Sequence, residues 1–457
     1  MKINFNYRFH PVGQGLFASG SLHAEIDQDA HIAYSWVFDC GSMSPKTDLQ
    51  PEVVNFRRYG LKNQNALDLL CISHFDCDHV NGLTDLLKDT DVDTVVIPYY
   101  TPLQRLVIGC MQEGRAASSP DYHRFIHDPI SFILNSAQRV RRIILIFPGT
   151  SPNEAQSPFT PPLSDYPIDL TDNFDPLSKE VMQDERRPWL FRVANPDDRV
   201  PPDGSLPSLT KSLKDSGVEL VAMQERCILS SAQFGMERWE FLFHHKPQSI
   251  TISDYIVNEM DRIFHLPSST GDGRSIVDCL QVRELRNRIR DVYRKANPDS
   301  KRFNTNGLST YAGPVEAEIT MISDKLLWSG IPPSIVPTNL TCRNIYYPFR
   351  PPNKASILYT GDTDLAPPEN RDELIEFLTL ERFKKVLVLQ VPHHGSRNNW
   401  QIGSASSFPH LWSVISAKPT YKHGHPHTEV VTDLLEHNPV LVNLKSGVSW
   451  LGTCQFS

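Results

Sequence analysis

Several features are scarce or absent in this chain of 457 residues, and each absence closes a class of function. No run approaches the roughly 18 consecutive apolar residues that a membrane helix needs. The opening stretch, MKINFNYRFHPVGQG, has one early lysine but no apolar signal-peptide core. The eight cysteines, at 40, 71, 77, 110, 227, 279, 342 and 454, form no CxxC pair and no short disulfide framework. A reduced, cytoplasmic protein with no membrane partner is therefore expected. Positive charge is also in short supply: 45 Lys and Arg face 53 Asp and Glu, a formal net charge of −8. Such a balance exerts no general pull on nucleic acid, so a polyanionic substrate would need a local basic patch or metal ions. No internal repeat of fixed period is present.

What remains is an ordinary globular composition, 40% apolar and 21% charged, on a chain long enough for a large core and a second lobe or long insertion. Apolar runs closed by Gly, Asp or Pro at 34–41, 66–74, 92–100 and 141–149 predict internal strands of a layered α/β protein, with a helix over GLTDLLKD. From Pro148 to Ser208 the texture changes, because 12 of the 36 prolines fall there. Proline removes backbone donors, so cover or loop is expected. Residues 209–300 turn helical in pattern, and strand-like runs return at 355–365, 384–396 and 411–418. The simplest architecture is one α/β core, residues 1–150 and 301–457, split by an insertion over 151–300.

The chemistry-bearing residues sit where these strands end. His74, Asp76, Asp78 and His79 form H-x-D-x-D-H directly after an apolar strand. Imidazole nitrogens and carboxylate oxygens ligate Zn, Mn or Fe, and two hard carboxylates lean the site away from thiophilic metals. Cys77 is expected to point away from its neighbours. YTGDTD places Asp362 after another strand and a glycine, where a carboxylate can bridge two cations. VPHHGS adds His393 and His394, and YKHGHPHT adds His423, His425 and His427. Seven of 17 histidines thus occupy three strand-end loops. Four such loop ends together point to one metal site.

The ordered series VGQG, VFDCG, SHFDCDHVNGL, NTNGLST, LYTGD, VPHHGS and GHPHTEVVTDLL resembles the metallo-β-lactamase superfamily. Within it, the chain is similar to the hydrolase lobe of bacterial competence (DNA-uptake) channel proteins and to their stand-alone relatives. The likeness covers roughly residues 5–100 and 300–457. It implies an αββα sandwich carrying a long proline-rich, then helical, insertion. It also implies two divalent metal ions, Zn or Mn with Mg also admissible, about 3.5–4 Å apart, that activate a hydroxide for a phosphodiesterase or nuclease reaction. One ion would be held by His74, Asp76 and a later histidine. The second would be held by Asp78 and His79, with Asp362 between the two and His425 closing the site. His394 is favoured as the ligand over His393, though the motif does not separate them. Asp78 or Asp362 would orient the nucleophile, and His393 or His427 would protonate the leaving oxygen. The chain departs from the superfamily pattern in having Asp76 where histidine is widespread. It also lacks an obvious mid-chain histidine ligand, for which His123, His127, His244 and His245 are the available substitutes.

Substrate contacts are less determined. Ser396 would bind a substrate oxygen or cap its own loop. Residues 283–302 carry eight Lys/Arg against three Asp/Glu, and Arg283, Arg286, Arg290 and Arg294 recur at helical spacing. Arg286 and Arg290 are the expected phosphate contacts of a nucleic-acid or other phosphodiester substrate. Alternatives are a hydrolase of a small ester, lactone or phosphorylated metabolite with the insertion as lid, and a metal-stabilised binding protein. Protein partners are compatible with each.

Overall fold

Strand β1 (Lys2–Phe9) alternates strictly, with Ile3, Phe5, Tyr7 and Phe9 buried and the residues between them turned outward. A period of two buries one face only, as in an antiparallel sheet packed on one side. Strands β2 (Phe17–Glu25) and β3 (His31–Cys40) continue this antiparallel meander. In contrast β4 (Ala66–Cys71), β5 (Asp91–Pro98) and β6 (Arg139–Ile146) pair in parallel, and their C-terminal halves are unbroken apolar, buried runs. Buried on both faces, they have no reason to alternate. The structure, a computed structural model, describes residues 2–25, 31–61, 65–112, 119–147, 189–193, 217–223, 226–231, 237–245, 254–264, 276–297, 307–315, 320–330, 344–345 and 354–456.

Later strands complete two mixed sheets. They are β7 (Trp189–Val193), β8 (Glu219–Met223), β9 (Arg226–Ser231), β10 (Glu237–His245), β11 (Leu308–Pro314), β12 (Thr320–Gly330), β13 (Asn344–Ile345), β14 (Ser356–Tyr359), β15 (Val386–Gln390), β16 (Trp412–Ser416), β17 (Pro439–Val442) and β18 (Ser446–Gln455). Among the described residues one sheet runs β13-β12-β18-β1-β2-β3-β4-β5-β6-β8 and the other β17-β16-β15-β14-β11-β10-β9-β7. The strands expected from the apolar runs are present in both. The segment 151–300, read from the sequence as proline-rich cover and helices, also carries strands. Strand β8 extends the first sheet beside β6, while β10, β9 and β7 extend the second beside β11, so this segment contributes sheet as well as helix. Alternating apolar residues such as Trp239, Phe241 and Phe243 reach the core, and burial of such aromatics draws the segment in. The proline-rich stretch 148–188 and the helical pattern over 208–216 lie outside the described residues.

Three apolar clusters hold the layers. The first lies between the sheets, where Trp36 meets Phe241 edge-on at 5.4 Å and Phe38 stacks on Tyr359 at 4.4 Å. A second packs the outer face of the first sheet (Leu70, Val95, Ile143) beneath the helices Lys46–Asn55, Pro102–Met111, Pro120–His127 and Arg283–Ala296. The third packs the outer face of the second sheet (Leu358, Leu389, Ile415) beneath Pro368–Lys384 and Thr428–Asp433. No described helix is long and apolar enough to cross a membrane. Six cysteines among the described residues are buried free thiols.

Candidate metal centre

Strand β4 ends beside β5, where the Ile72 amide donates to Val96 O. The chain then leaves the first sheet, and the Leu308 amide of the second sheet donates to Ser73 O at 2.7 Å. This tie brings the loop 73–76 and the short helix Cys77–Val80 to the junction of the two sheets. His74 and Asp76 sit on the loop, Asp78 and His79 on the first helical turn, and Cys77 turns into the apolar cluster behind them. From the second sheet, β14 delivers Asp362 through Gly361. That glycine has φ +53°, and a Cβ there would lie 2.9 Å from the Ser73 side chain, so only glycine allows the close approach. The Gln390 side chain braces the turn: its Oε1 accepts from the Thr360 and Gly361 amides at 2.8 and 2.7 Å. Strand β15 delivers His393 and His394, both with left-handed backbone at φ 47° and 56°. Consecutive non-glycine residues in that region carry strain of the kind stored at functional sites.

These loops converge on three overlapping groups of donors, the first being Asp39, His74 and His79. His74, Asp76 and Asp362 offer ligand atoms within 4.8 Å of one another, and so do Asp78, His79 and His394. Asp362 joins the latter two sets, with one oxygen 3.7 Å from His74 Nε2 and the other 3.2 Å from His79 Nε2. His394 Nε2 lies 3.0 Å from Asp78, and His393 Nε2 lies 3.7 Å from Asp362. The backs of the imidazoles are already committed. His79 Nδ1–H donates to Asp39 at 2.8 Å, and His394 Nδ1–H donates to Ser416 O at 2.7 Å. The Ser73 hydroxyl donates to Asp39 at 2.6 Å, so its oxygen is left to accept from His74 Nδ1–H at 2.7 Å. The Nε2 atoms therefore face inward. In His74 and His79 these atoms are buried without a hydrogen-bond partner. An orphaned buried nitrogen costs about 1–3 kcal/mol, which a bound cation would recover. Nitrogen and carboxylate donors of this kind fit Zn or Mn.

Electrostatics point the same way. Burial, followed by the charges of Asp78 and Asp362, pushes the Asp76 carboxyl up to about 8. Burial and the neighbouring His79 take His74 down to about 3. Burial opposes charge on His79, but Asp362 and Asp39 outweigh it and hold the imidazole well above its ordinary value. Asp78 is likewise penalised by burial, yet the hydrogen bond from His394 and the charge of His79 leave it at about 2. Buried carboxyls and imidazoles packed this closely suppress ionisation of Asp76, which a divalent charge would relieve.

No protein-family model matches this chain, and no curated protein matches it.

Other residues singled out in the sequence fall around this core. His425 is buried but belongs to neither donor set; its ring lies 5.5 Å from His393 and 6.2 Å from His394, and its Nδ1 is 3.4 Å from Gln14 Nε2. His427 sits at the rim, 5.0 Å from the His425 ring, and its Nδ1 accepts from the Arg397 amide. Ser396 is buried and its oxygen accepts from the Asn398 amide, a turn-stabilising contact. Arg286 and Arg290 are hydrogen-bonded to backbone carbonyls. The former donates to Leu280 O and the latter to Cys110 O and Gln112 O, so both close helix carbonyls. Of the mid-chain histidines, His244 lies 3.2 Å from Glu373, and His245 donates to Ile146 O. Asp39, Ser73 and Gln390 went unseen in the sequence. VFDCG carries the clue for the first: an acid placed at the end of a buried strand, as Asp362 is.

Proposed function

We propose that this chain is a metal-dependent hydrolase, a phosphodiesterase or nuclease, built as an αββα sandwich of the metallo-β-lactamase type. The three apolar clusters, one between sheets and one under each helical layer, support that architecture. The observation that carries the activity is the pair of donor sets bridged by Asp362, which lies 3.7 Å from His74 Nε2 and 3.2 Å from His79 Nε2, with both of those nitrogens buried. Two divalent ions held there would lower the pKa of water and neutralise charge developing on a scissile phosphate. His74, Asp76 and Asp362 would hold one ion, and Asp78, His79 and His394 the other. Asp39 and Ser73 keep the Nδ1 protons in place. His393 donates its Nδ1–H to Asn399 Oδ1 at 2.7 Å and keeps Nε2 toward Asp362, with about a quarter of its side chain exposed. It is the group best sited to pass a proton to a departing oxygen.

A smaller substrate is favoured by one observation. Arg286 and Arg290 each commit donors to backbone carbonyls, which leaves fewer of them for a nucleic-acid backbone. The deciding experiment incubates the purified chain, loaded with Mn or Zn, with single- and double-stranded DNA, RNA and bis(p-nitrophenyl) phosphate, beside Asp78→Ala and Asp362→Ala. Turnover of a phosphodiester that both variants lose is the expected result. Failure to retain either metal, or turnover indifferent to both substitutions, would sink the proposal.

A further inference from the structure

On the outward face of the first sheet, away from the metal centre, a cleft of about 330 Å³ opens between strands β1 to β3 and the turn Phe56–Gly60. Its floor is polar for a reason visible in the register: Arg8 lies opposite Ser19, and Asn6 opposite Ser21, which in turn faces Ser35. These are the off-beat positions of strands whose alternate residues fill the core. No helix of the second cluster closes over them; their roof is the last turn after Lys46–Asn55, which is a π-turn, a form frequent at functional sites.

Arg8 is the unusual member. Its Nε is buried without a partner, and among the described residues its side chain makes no hydrogen bond and no ion pair. The nearby acids are engaged elsewhere: Asp68 accepts the amide and hydroxyl of Ser35 at 2.7 and 3.0 Å, and Glu52 lies 3.7 Å from His10 Nδ1. Arg8 is half-buried, with its Nε shut off from water and unpaired, and the fork of donors of a guanidinium matches a phosphate. Asn6 Oδ1 is buried without a partner as well, and a flip of its amide presents NH₂ instead. The Ser21 hydroxyl has no hydrogen bond among the described residues. At the rim, Tyr59 is 67% exposed with Arg58 5.4 Å over its ring. Large exposed aromatics backed by a cation stack flat bases.

We propose that this cleft binds a nucleotide, with Arg8, Asn6 and Ser21 on its phosphate and the Tyr59 ring against its base. The volume lies at the small end of the range for organic ligands, which suits a mononucleotide or a strand's terminal nucleotide. The site stands on residues outside the donor sets and does not depend on the hydrolase reading.

Calorimetric titration of the full chain in EDTA with adenosine monophosphate, inorganic phosphate and adenosine tests it. The monophosphate binds, inorganic phosphate binds more weakly, and adenosine does not bind. Arg8→Gln weakens monophosphate and phosphate by about tenfold or more. Tyr59→Ala, at an exposed position that does not threaten folding, weakens the monophosphate and leaves inorganic phosphate unchanged. Asp362→Ala leaves all three titrations unchanged. No binding of the monophosphate, binding as tight for adenosine, or binding that survives Arg8→Gln but fails in Asp362→Ala would overturn the assignment.

Discussion

Replacing Asp76 with asparagine should make the metal-free protein more stable while crippling its response to metal. Burial and two neighbouring carboxylates raise this acid to about 8, so the folded chain at pH 7 holds it as a neutral carboxyl, for which asparagine is close to isosteric. The unfolded chain ionises it near the ordinary value of 3.8. Protonating it on folding at pH 7 spans about three pH units at about 1.4 kcal/mol each, an upper figure of roughly 4 kcal/mol that asparagine would not incur. The sign follows from the direction of the shift: a raised carboxyl loses native stability as pH climbs from about 4 to about 8. His79 and His394, also raised, slope the same way above pH 6.5, but they are common to both proteins. Urea melts in EDTA at pH 7 and pH 8 would measure the difference. The variant should be more stable by about 1–4 kcal/mol, more so at pH 8, and its gain in melting temperature on adding Mn or Zn should shrink. If metal-free Asp76→Asn is less stable than the parent, or gains as much from metal, the account of a strained, cation-ready cluster is wrong.

Asp39→Asn removes an acceptor shared by Ser73 and His79, and competition with a zinc chelator should show a loss of about 10- to 100-fold in metal affinity. Gly361→Ala forces a side chain into a left-handed turn against Ser73; urea melts should show a loss of about 1–2 kcal/mol from the backbone alone, with weakened metal retention. Burial holds His10 and His245 at about 4 and His410 at about 3. Lowered histidines sustain stability above pH 6.5 and lose it as pH falls toward 4, so acid unfolding followed by circular dichroism should begin in that interval. Arg290→Ala should lower stability by about 1–3 kcal/mol through the carbonyls of Cys110 and Gln112, while turnover per folded molecule stays unchanged.

The parallel strands were legible because double burial writes itself as an unbroken apolar run, as in LLCIS and VLVLQ. The loops that carry the two donor sets were legible because His and Asp crowd within a few residues of a strand end in each. Asp39 was harder, since one acid in VFDCG acquires meaning only when Ser73 and His79 fold against it. Arginine spacing along residues 283–296 correctly gave a helix face, but spacing is silent about what the face meets, and Arg290 meets a helix end. Strands β8 to β10 were hidden by the helical and proline-rich texture around them. Nothing local in HHG announces that both histidines adopt left-handed backbone; neighbouring loops impose it.

His74 to His79 hang from one sheet, and Asp362 and His394 from the other, with the Leu308–Ser73 hydrogen bond stitching the seam between them. Ions seated across that seam would act as rivets through two plates. Chelation would then be felt along the whole boundary between the sheets, and metal supply in the cell would govern how long the chain resists proteases as well as how fast it works.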